Sequence, residues 1–243
     1  MIAGHTVSVV IPALNEEKTV ADVARACLAS NTDEVIVIDS DSTDATAGNA
    51  RAAGARVVGW RDVDKQLPLP GKGEALWRGV KAASGEVVVF VDADVTNAEP
   101  WWVDKLAEPF ADPAIHLVKA SYTRDGAGGR VTELTAKPLL RTYFPQLAAL
   151  DQPLAGEYAI RRSTALKVPF VAGYGVEVGL LIDVASLHPN AITQVDLGRR
   201  THRNRPLAQL GPMADIVART VLTRAGALPP GVEPVAQREP WVK

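Results

Sequence analysis

Val87-Val88-Val89-Phe90-Val91-Asp92-Ala93-Asp94 is an apolar run that stops abruptly in two carboxylates one residue apart. Apolar residues without alternation describe a strand buried on both faces, as in the middle of a parallel sheet. The acids then stand at the strand's C-terminal edge, which in open α/β sheets is where ligands bind. The short Ala93 lets backbone and carboxylates approach a cation, so that one acid can hold Mg²⁺ or Mn²⁺ directly and the other through water. Taken alone, such a pair also fits a turn former or a helix cap. Its surroundings have to decide.

Upstream, strand and helix signals alternate. Val7-Ser8-Val9-Val10-Ile11 predicts a first strand broken by Pro12, and Asn15-Glu16-Glu17 leads into a helix over 18–29. Glu34-Val35-Ile36-Val37-Ile38 predicts a second strand, closed by the polar cluster Asp39 to Asp44, which can cap a helix over 45–53 ahead of Gly54. A short third strand over 56–60 and a loop with Pro68, Pro70, Gly71 and Gly73 precede a helix over 74–83. Strands alternating with helices mean βαβ units and right-handed crossovers. The fold class is therefore α/β, an open, mostly parallel sheet flanked by helices, of nucleotide-binding type.

Downstream the regularity weakens. The pattern predicts a helix over 101–110 begun by Pro100, a strand over 116–122, a glycine turn over 126–129, and a helix over 131–140 that Pro138 kinks or stops early. A short helix over 143–150, a strand over 157–160, a turn over 173–175, a helix over 176–186, a last strand over 192–195 and a closing helix over 210–223 follow. The Pro-rich tail, 228–243, is expected to pack poorly, and no composition break divides 1–227.

Composition narrows the function classes. The 243 residues can bury a full core, and 47% hydrophobic with 22% charged residues is ordinary for a globular chain. A net charge of −2 gives no electrostatic case for nucleic acid. No apolar run reaches the roughly 18 to 20 residues that cross a bilayer, and Met1 to His5 lacks a signal-peptide pattern, so no membrane partner and a cytoplasmic location are expected. Cys27, the single cysteine, excludes an internal disulfide and sits in an Ala-rich helical pattern that gives it a packing role. His5, His116 and His188 read as structural or solvated.

Chemistry collects at the strand ends. Asn15-Glu16, Asp39-Ser40, Lys72 and Asp92-Ala93-Asp94 each follow a parallel strand or precede its helix, so all can face one cleft. Ribose hydroxyls need a carboxylate, which Glu16 or Asp39 can supply, and Ser40 can meet a base. Lys72, between Gly71 and Gly73, can reach a phosphate or base edge, although a solvated loop lysine has the same surroundings. The segment lacks the spacing of a Walker phosphate loop.

Pro12-Ala13-Leu14-Asn15-Glu16-Glu17, Asp39-Ser40-Asp41-Ser42-Thr43-Asp44, Gly71-Lys72-Gly73-Glu74 and Asp92-Ala93-Asp94 together resemble a GT-A glycosyltransferase that uses a nucleotide-diphospho-sugar. Gly128-Gly129-Arg130-Val131-Thr132-Glu133-Leu134, Gly173-Tyr174-Gly175-Val176-Glu177-Val178-Gly179 and His202-Arg203-Asn204-Arg205-Pro206-Leu207 narrow the resemblance to the actinobacterial glucosyl-3-phosphoglycerate synthases. It runs from about Val7 to Arg224, with both ends shorter than in the longer members.

The resemblance implies a single GT-A domain over 1–227, with a nucleotide-sugar-binding half (1–97) and an acceptor-binding half (98–227). It implies glucose transfer from UDP-glucose to the 2-hydroxyl of 3-phospho-D-glycerate with retention, by a cytoplasmic homodimer that needs Mg²⁺ or Mn²⁺. Pro12, Ala13, Leu14, Glu16, Asp39, Ser40, Lys72, Asp92, Ala93 and Asp94 would hold the nucleotide-sugar. Asp94 would be the main metal ligand, with His202 completing the site and Asp92 orienting from beside it. Gly129, Arg130, Thr132 and Asn204 would hold the acceptor phosphate, in keeping with the bidentate geometry of a guanidinium.

Glu177 would stand at the anomeric centre, either as the nucleophile of a double displacement or as a hydrogen-bond acceptor in same-face attack, with the departing diphosphate as base. The second scheme is the one adopted. GDP-glucose and a mannosyl donor stay open. So do a family 2 transferase acting on a polyprenyl phosphate, a nucleotidyltransferase and a non-catalytic sugar-nucleotide sensor. The polyprenyl reading normally brings membrane helices and the nucleotidyltransferase a glycine-rich loop beside the first strand; neither pattern is visible.

Overall fold

The computed structural model describes residues 1–124, 129–201 and 207–242. In chain order the elements are β1 (Val7–Ala13), α1 (Val20–Leu28), β2 (Glu34–Asp39), α2 (Thr46–Ala52), β3 (Arg56–Gly59), α3 (Trp60–Val63), α4 (Lys72–Ala82) and β4 (Val87–Phe90). They continue as α5 (Pro100–Ala107), β5 (Leu117–Arg124), α6 (Lys137–Tyr143), β6 (Tyr158–Arg161), α7 (Arg162–Ala165), β7 (Phe170–Val171), α8 (Val176–Leu187), β8 (Ile192–Arg200), α9 (Leu207–Arg224) and β9 (Gln237–Arg238).

Seven strands form one sheet in the order β3-β2-β1-β4-β6-β5-β8, and β7 pairs with β9 apart from it. All pairings in the large sheet are parallel except those of β6, which runs against both β4 and β5. The unalternated run works as expected: Val87, Val89 and Val91 pack into the cluster on one face, Val88 and Phe90 into the cluster on the other. Each such buried side chain contributes about 1.5–3 kcal/mol, which makes β4 the anchor of the sheet. Apolar residues of α1 and α5 cover one face, and those of α4, α8 and α9 the other.

Several boundaries differ from the sequence reading, each for a physical reason. Pro12 does not break the first strand. Val91 N–H donates to the Val10 carbonyl while Ser40 N–H donates to that of Ala13, so even-numbered residues of β1 face β4. Their pairing ends at Val10–Phe90, and the missing N–H of Pro12 falls where the strand already has no neighbour on that side. The kink expected at Pro138 is a π-helical turn, Thr132–Ala136, that widens the helix before α6 resumes it.

The strand expected over 192–195 runs on to Arg200 and is not the last. Its pairing with β5 shifts register between Ser121 and Thr123, and its end meets the loop after β4: Asn97 Nδ2 donates to Arg199 O at 2.7 Å, and Thr201 N–H donates to Asn97 Oδ1 at 2.7 Å. Nor is the tail poorly packed. β9 pairs with β7, and Trp241 stacks on Trp77 with ring centroids 3.7 Å apart.

Three positions test the packing directly. A Cβ on Gly73 would overlap the Val171 carbonyl oxygen, so only glycine lets α4 lie against β7, whereas a Cβ on Gly48 in exposed α2 meets nothing. Gly73→Ala is expected to lower the unfolding free energy by about 2 kcal/mol or more, and Gly48→Ala to raise it by about 0.5–1 kcal/mol, both read by urea unfolding.

The third is Lys119 of β5, fully buried, donating to Ala155 O at 2.7 Å and lying 4.3 Å over the Tyr158 ring. Burial pushes its ammonium down to about 7, with Lys72 adding to the fall and Glu177 opposing it. Between that value and the ordinary lysine range the unfolded chain holds the extra proton, so the penalty is complete below pH 7 and fades as pH rises. Cys27, pushed up to about 12 by burial, acts in the opposite sense once thiols ionise in the unfolded chain, which bounds the window. Unfolding free energy is expected to rise on the order of 1–2 kcal/mol between about pH 7 and 8.5, a slope that Lys119→Met should flatten.

Candidate active site

The C-terminal edge of the parallel strands opens on a cavity of about 350 Å³. Pro12, Ala13, Leu14 and Glu16 line it from the end of β1, Ser40 from β2, Lys72 from the start of α4, and Asp92, Ala93 and Asp94 from β4. Gly129, Arg130 and Thr132 line it at the approach to the π-helical turn, and Glu177 from the first turn of α8. The structure thus brings together almost every described residue singled out in the sequence. Asp39 is the exception: it is outside the lining, and its Oδ1 is buried without a hydrogen-bond partner among the described residues. His202 and Asn204 lie outside the described residues.

Local chemistry explains the placement. Asn15, in the left-handed region at φ 55°, ties the end of β1 to the polar cluster after β2: its Oδ1 accepts from Thr43 N–H at 2.9 Å, and Glu16 N–H donates to Thr46 Oγ1 at 2.8 Å. Asn15 is therefore a brace, while Glu16 beside it faces the cavity. Gly71, at φ 87°, passes so close to Gly173 that a Cβ would meet its Cα at 2.7 Å. The start of α4 and the turn leading to Glu177 are thereby pressed together.

At the centre lies a compensated cluster of charge. The Lys72 ammonium pairs with Asp92 Oδ1 and sits 2.7 Å from Glu177 Oε1. Arg200, at the end of β8, donates to Asp92 Oδ2 at 3.0 Å and lies 2.9 Å from Glu157 Oε2 and 3.6 Å from Asp94 Oδ1. Burial works against the charge on Lys72, but Asp92 and Glu177 outweigh it and hold the ammonium above its usual range. Arg200 is likewise held charged, chiefly by Glu157, against the same cost.

Asp94 is the acid left over. Burial, with Asp92 next, pushes its carboxyl up to about 6, Arg200 opposing and Glu157 and Glu16 adding to the rise. Surplus negative charge on a partly buried carboxylate is relieved by a cation, and Asp92 is already engaged by Lys72 and Arg200. This donor set fits a divalent ion at Asp94. Among the described residues no three His, Cys, Asp or Glu side chains converge as a complete metal cage.

Arg200, Glu157 and Tyr174 are cavity or cluster residues that the sequence reading left unassigned. Arg200 was findable in principle, because four arginines in Gly198–Arg205 follow a strand signal, but the strand runs five residues beyond the 192–195 that its pattern predicts. Glu157 immediately precedes β6, and only the antiparallel direction of that strand brings it to the ligand edge. No helix of the described residues is long and apolar enough to cross a membrane.

Against known proteins, the chain matches the model of glycosyl transferase family 2 over residues 8–174. It is 48% identical to the glucosyl-3-phosphoglycerate synthase of Mycolicibacterium paratuberculosis over 248 residues, covering 95% of this chain and 75% of that protein. A crystal structure of glucosyl-3-phosphoglycerate synthase from Mycobacterium tuberculosis with Mn²⁺, UDP-glucose and phosphoglyceric acid superposes with a TM-score of 0.90 at 46% identity, covering 98% of this chain and 91% of that one. A structure of the same enzyme with Mg²⁺ and UDP gives the same TM-score of 0.90, identity of 46% and coverage of 98% and 91%. With the fold, the ligand edge and the relatives in agreement, this chain belongs to glycosyl transferase family 2 and, within it, to the glucosyl-3-phosphoglycerate synthases.

Proposed function

We propose that this chain transfers glucose from UDP-glucose to the 2-hydroxyl of 3-phospho-D-glycerate with retention of configuration. We place it in the cytoplasm, as a homodimer whose protomer is one GT-A domain over 1–227 followed by the tail 228–243. The observation that carries the activity is the joining, at one sheet edge, of a cation-seeking Asp94, the Lys72-Asp92-Glu177 cluster and, across the cavity, Arg130 with Thr132. Relatives at 46% identity crystallised with Mn²⁺, UDP-glucose and phosphoglyceric acid support the choice of substrates.

Roles follow from the chemistry of each group. Pro12, Ala13 and Leu14 with Ser40 face the base, and of the two acids expected for the ribose hydroxyls, Glu16, which lines the cavity, takes that role rather than Asp39, which does not. Asp94 and His202 would hold a divalent ion, which supplies charge neutralisation for the UDP leaving group when bound. Lys72 keeps Asp92 and Glu177 in place and presents a fixed positive charge near the diphosphate. Arg130, Thr132, the Gly129 turn and Asn204 take the acceptor phosphate.

Glu177 is pinned through Oε1 to Lys72, which dulls it as a nucleophile and leaves it to accept hydrogen bonds from glucose hydroxyls. That favours same-face attack, with the departing diphosphate taking the acceptor's proton.

UDP release is expected only when UDP-glucose and 3-phosphoglycerate are both present; release without acceptor, or none, contradicts the reading. Asp94→Ala should cut metal-supported turnover by about 10² or more, and Arg130→Ala should raise the acceptor's KM about tenfold with less effect on kcat. Equal losses toward donor and acceptor in Arg130→Ala would remove that division of labour. Glu177→Gln should lower kcat without trapping a glucosyl adduct, and an adduct seen by intact-mass spectrometry on the native enzyme would establish double displacement instead.

A further inference from the structure

The tail residue Arg238 makes more polar contacts than its position in the chain suggests. Its Nε donates to Glu74 Oε2 at 2.7 Å, one terminal nitrogen donates to Glu74 Oε1 at 3.0 Å and to the Leu67 carbonyl, and the other donates to Gln66 Oε1 at 2.8 Å. Glu74 is fully buried in the first turn of α4, two residues after Lys72. Its other partner, the fully buried Arg78, donates from Nε to Oε1 at 2.7 Å and carries the carbonyls of Trp60, Asp64 and Gln66 at 2.5, 2.6 and 2.8 Å. One carboxylate with two arginines therefore holds the whole path from Trp60 to Lys72.

Both ends of that path face the cavity. β9, which contains Arg238, also pairs with β7, and the chain after β7 runs directly into the turn that carries Glu177. Gly173 N–H donates to the Pro70 carbonyl at 3.0 Å, so the two segments that β9 grips also grip each other.

We propose that Arg238 is a positioning residue for the nucleotide-sugar side of the cleft, fixing the segment 60–72 through the buried Glu74 carboxylate. The side it acts on is defined by the proposed function, but its hold on the segment is not. Lys65 is exposed in the middle of that segment and offers a tryptic site that reports its opening.

Arg238→Met is expected to raise the KM for UDP-glucose about tenfold, while kcat and the KM for 3-phosphoglycerate stay within about threefold. Trypsin should cut after Lys65 about tenfold faster. Arg238→Lys, which keeps a charge on Glu74 but lacks the fork that reaches Gln66 and Leu67, should show both effects in smaller measure. It carries the test if Arg238→Met does not accumulate as folded protein. Trp241→Ala removes the stack on Trp77 without touching Glu74 and should lower the melting temperature with no change in donor KM.

An unchanged donor KM and cleavage rate in the folded Arg238 variants, or an equal donor shift in Trp241→Ala, overturns the proposal. Faster cleavage in a protein that releases no UDP would uphold the hold on the segment and instead refute the assigned reaction.

Discussion

The structure depends on neutralising carboxylates that the fold has taken out of water. Asp92 is gripped from both sides, by Lys72 from α4 and by Arg200 from β8, and each cation passes its charge on to a second acid, Glu177 or Glu157. Such pairs add little net stability over apolar packing, yet losing one partner strands a charge at roughly 3–5 kcal/mol. Their value lies in fixing position. Five remote segments must meet within hydrogen-bonding distance, and the close glycine contacts follow from that demand. A Cβ at Gly156 would overlap the Asp92 carboxylate, so the chain before β6 approaches it as bare backbone.

The first half of the molecule was legible because burial there is two-sided. β1, β2 and β4 are apolar apart from the buried Ser8 of β1 and the acids that open and close β2, and the polar stops after them coincide with the ligand edge. The second half failed to read where a strand is amphipathic or short. β8 alternates Gln194-Val195-Asp196-Leu197 on the outer edge of the sheet, so its polar half looked like a loop and Arg200 was lost with it. β9 has two residues and lies in a Pro-rich tail, where structure is revealed by contacts remote in sequence, with β7 and, more than 160 positions away, with Trp77 and Glu74.

The candidate site divides the same way. Groups that follow a buried strand, such as Asp92 and Asp94, or open the helix of its unit, as Lys72 does, could be gathered from the alternation of strands and helices. Glu157 and Arg200 could not, since one requires knowing that β6 is reversed and the other that β8 continues. Glu177 came from family resemblance, and its pairing with Lys72 is a fact that spacing could not supply.

The fastening of Arg199 and Thr201 to Asn97 joins the outermost strand to the loop after β4, three positions away in the sheet order. At about 4.8 Å per strand that is roughly 14 Å of lateral separation, more than an arginine spans. The chain from Val91 to Asn97 is long enough to cover that distance, and it carries Asn97 across to β8 beyond the β5–β8 register shift. The stretch that carries Asp92 and Asp94 is thus moored at one end to β1 through Val91 and at the other to β8 through a side-chain amide clasping both of its partners, which makes the placing of its acids a property of the sheet itself.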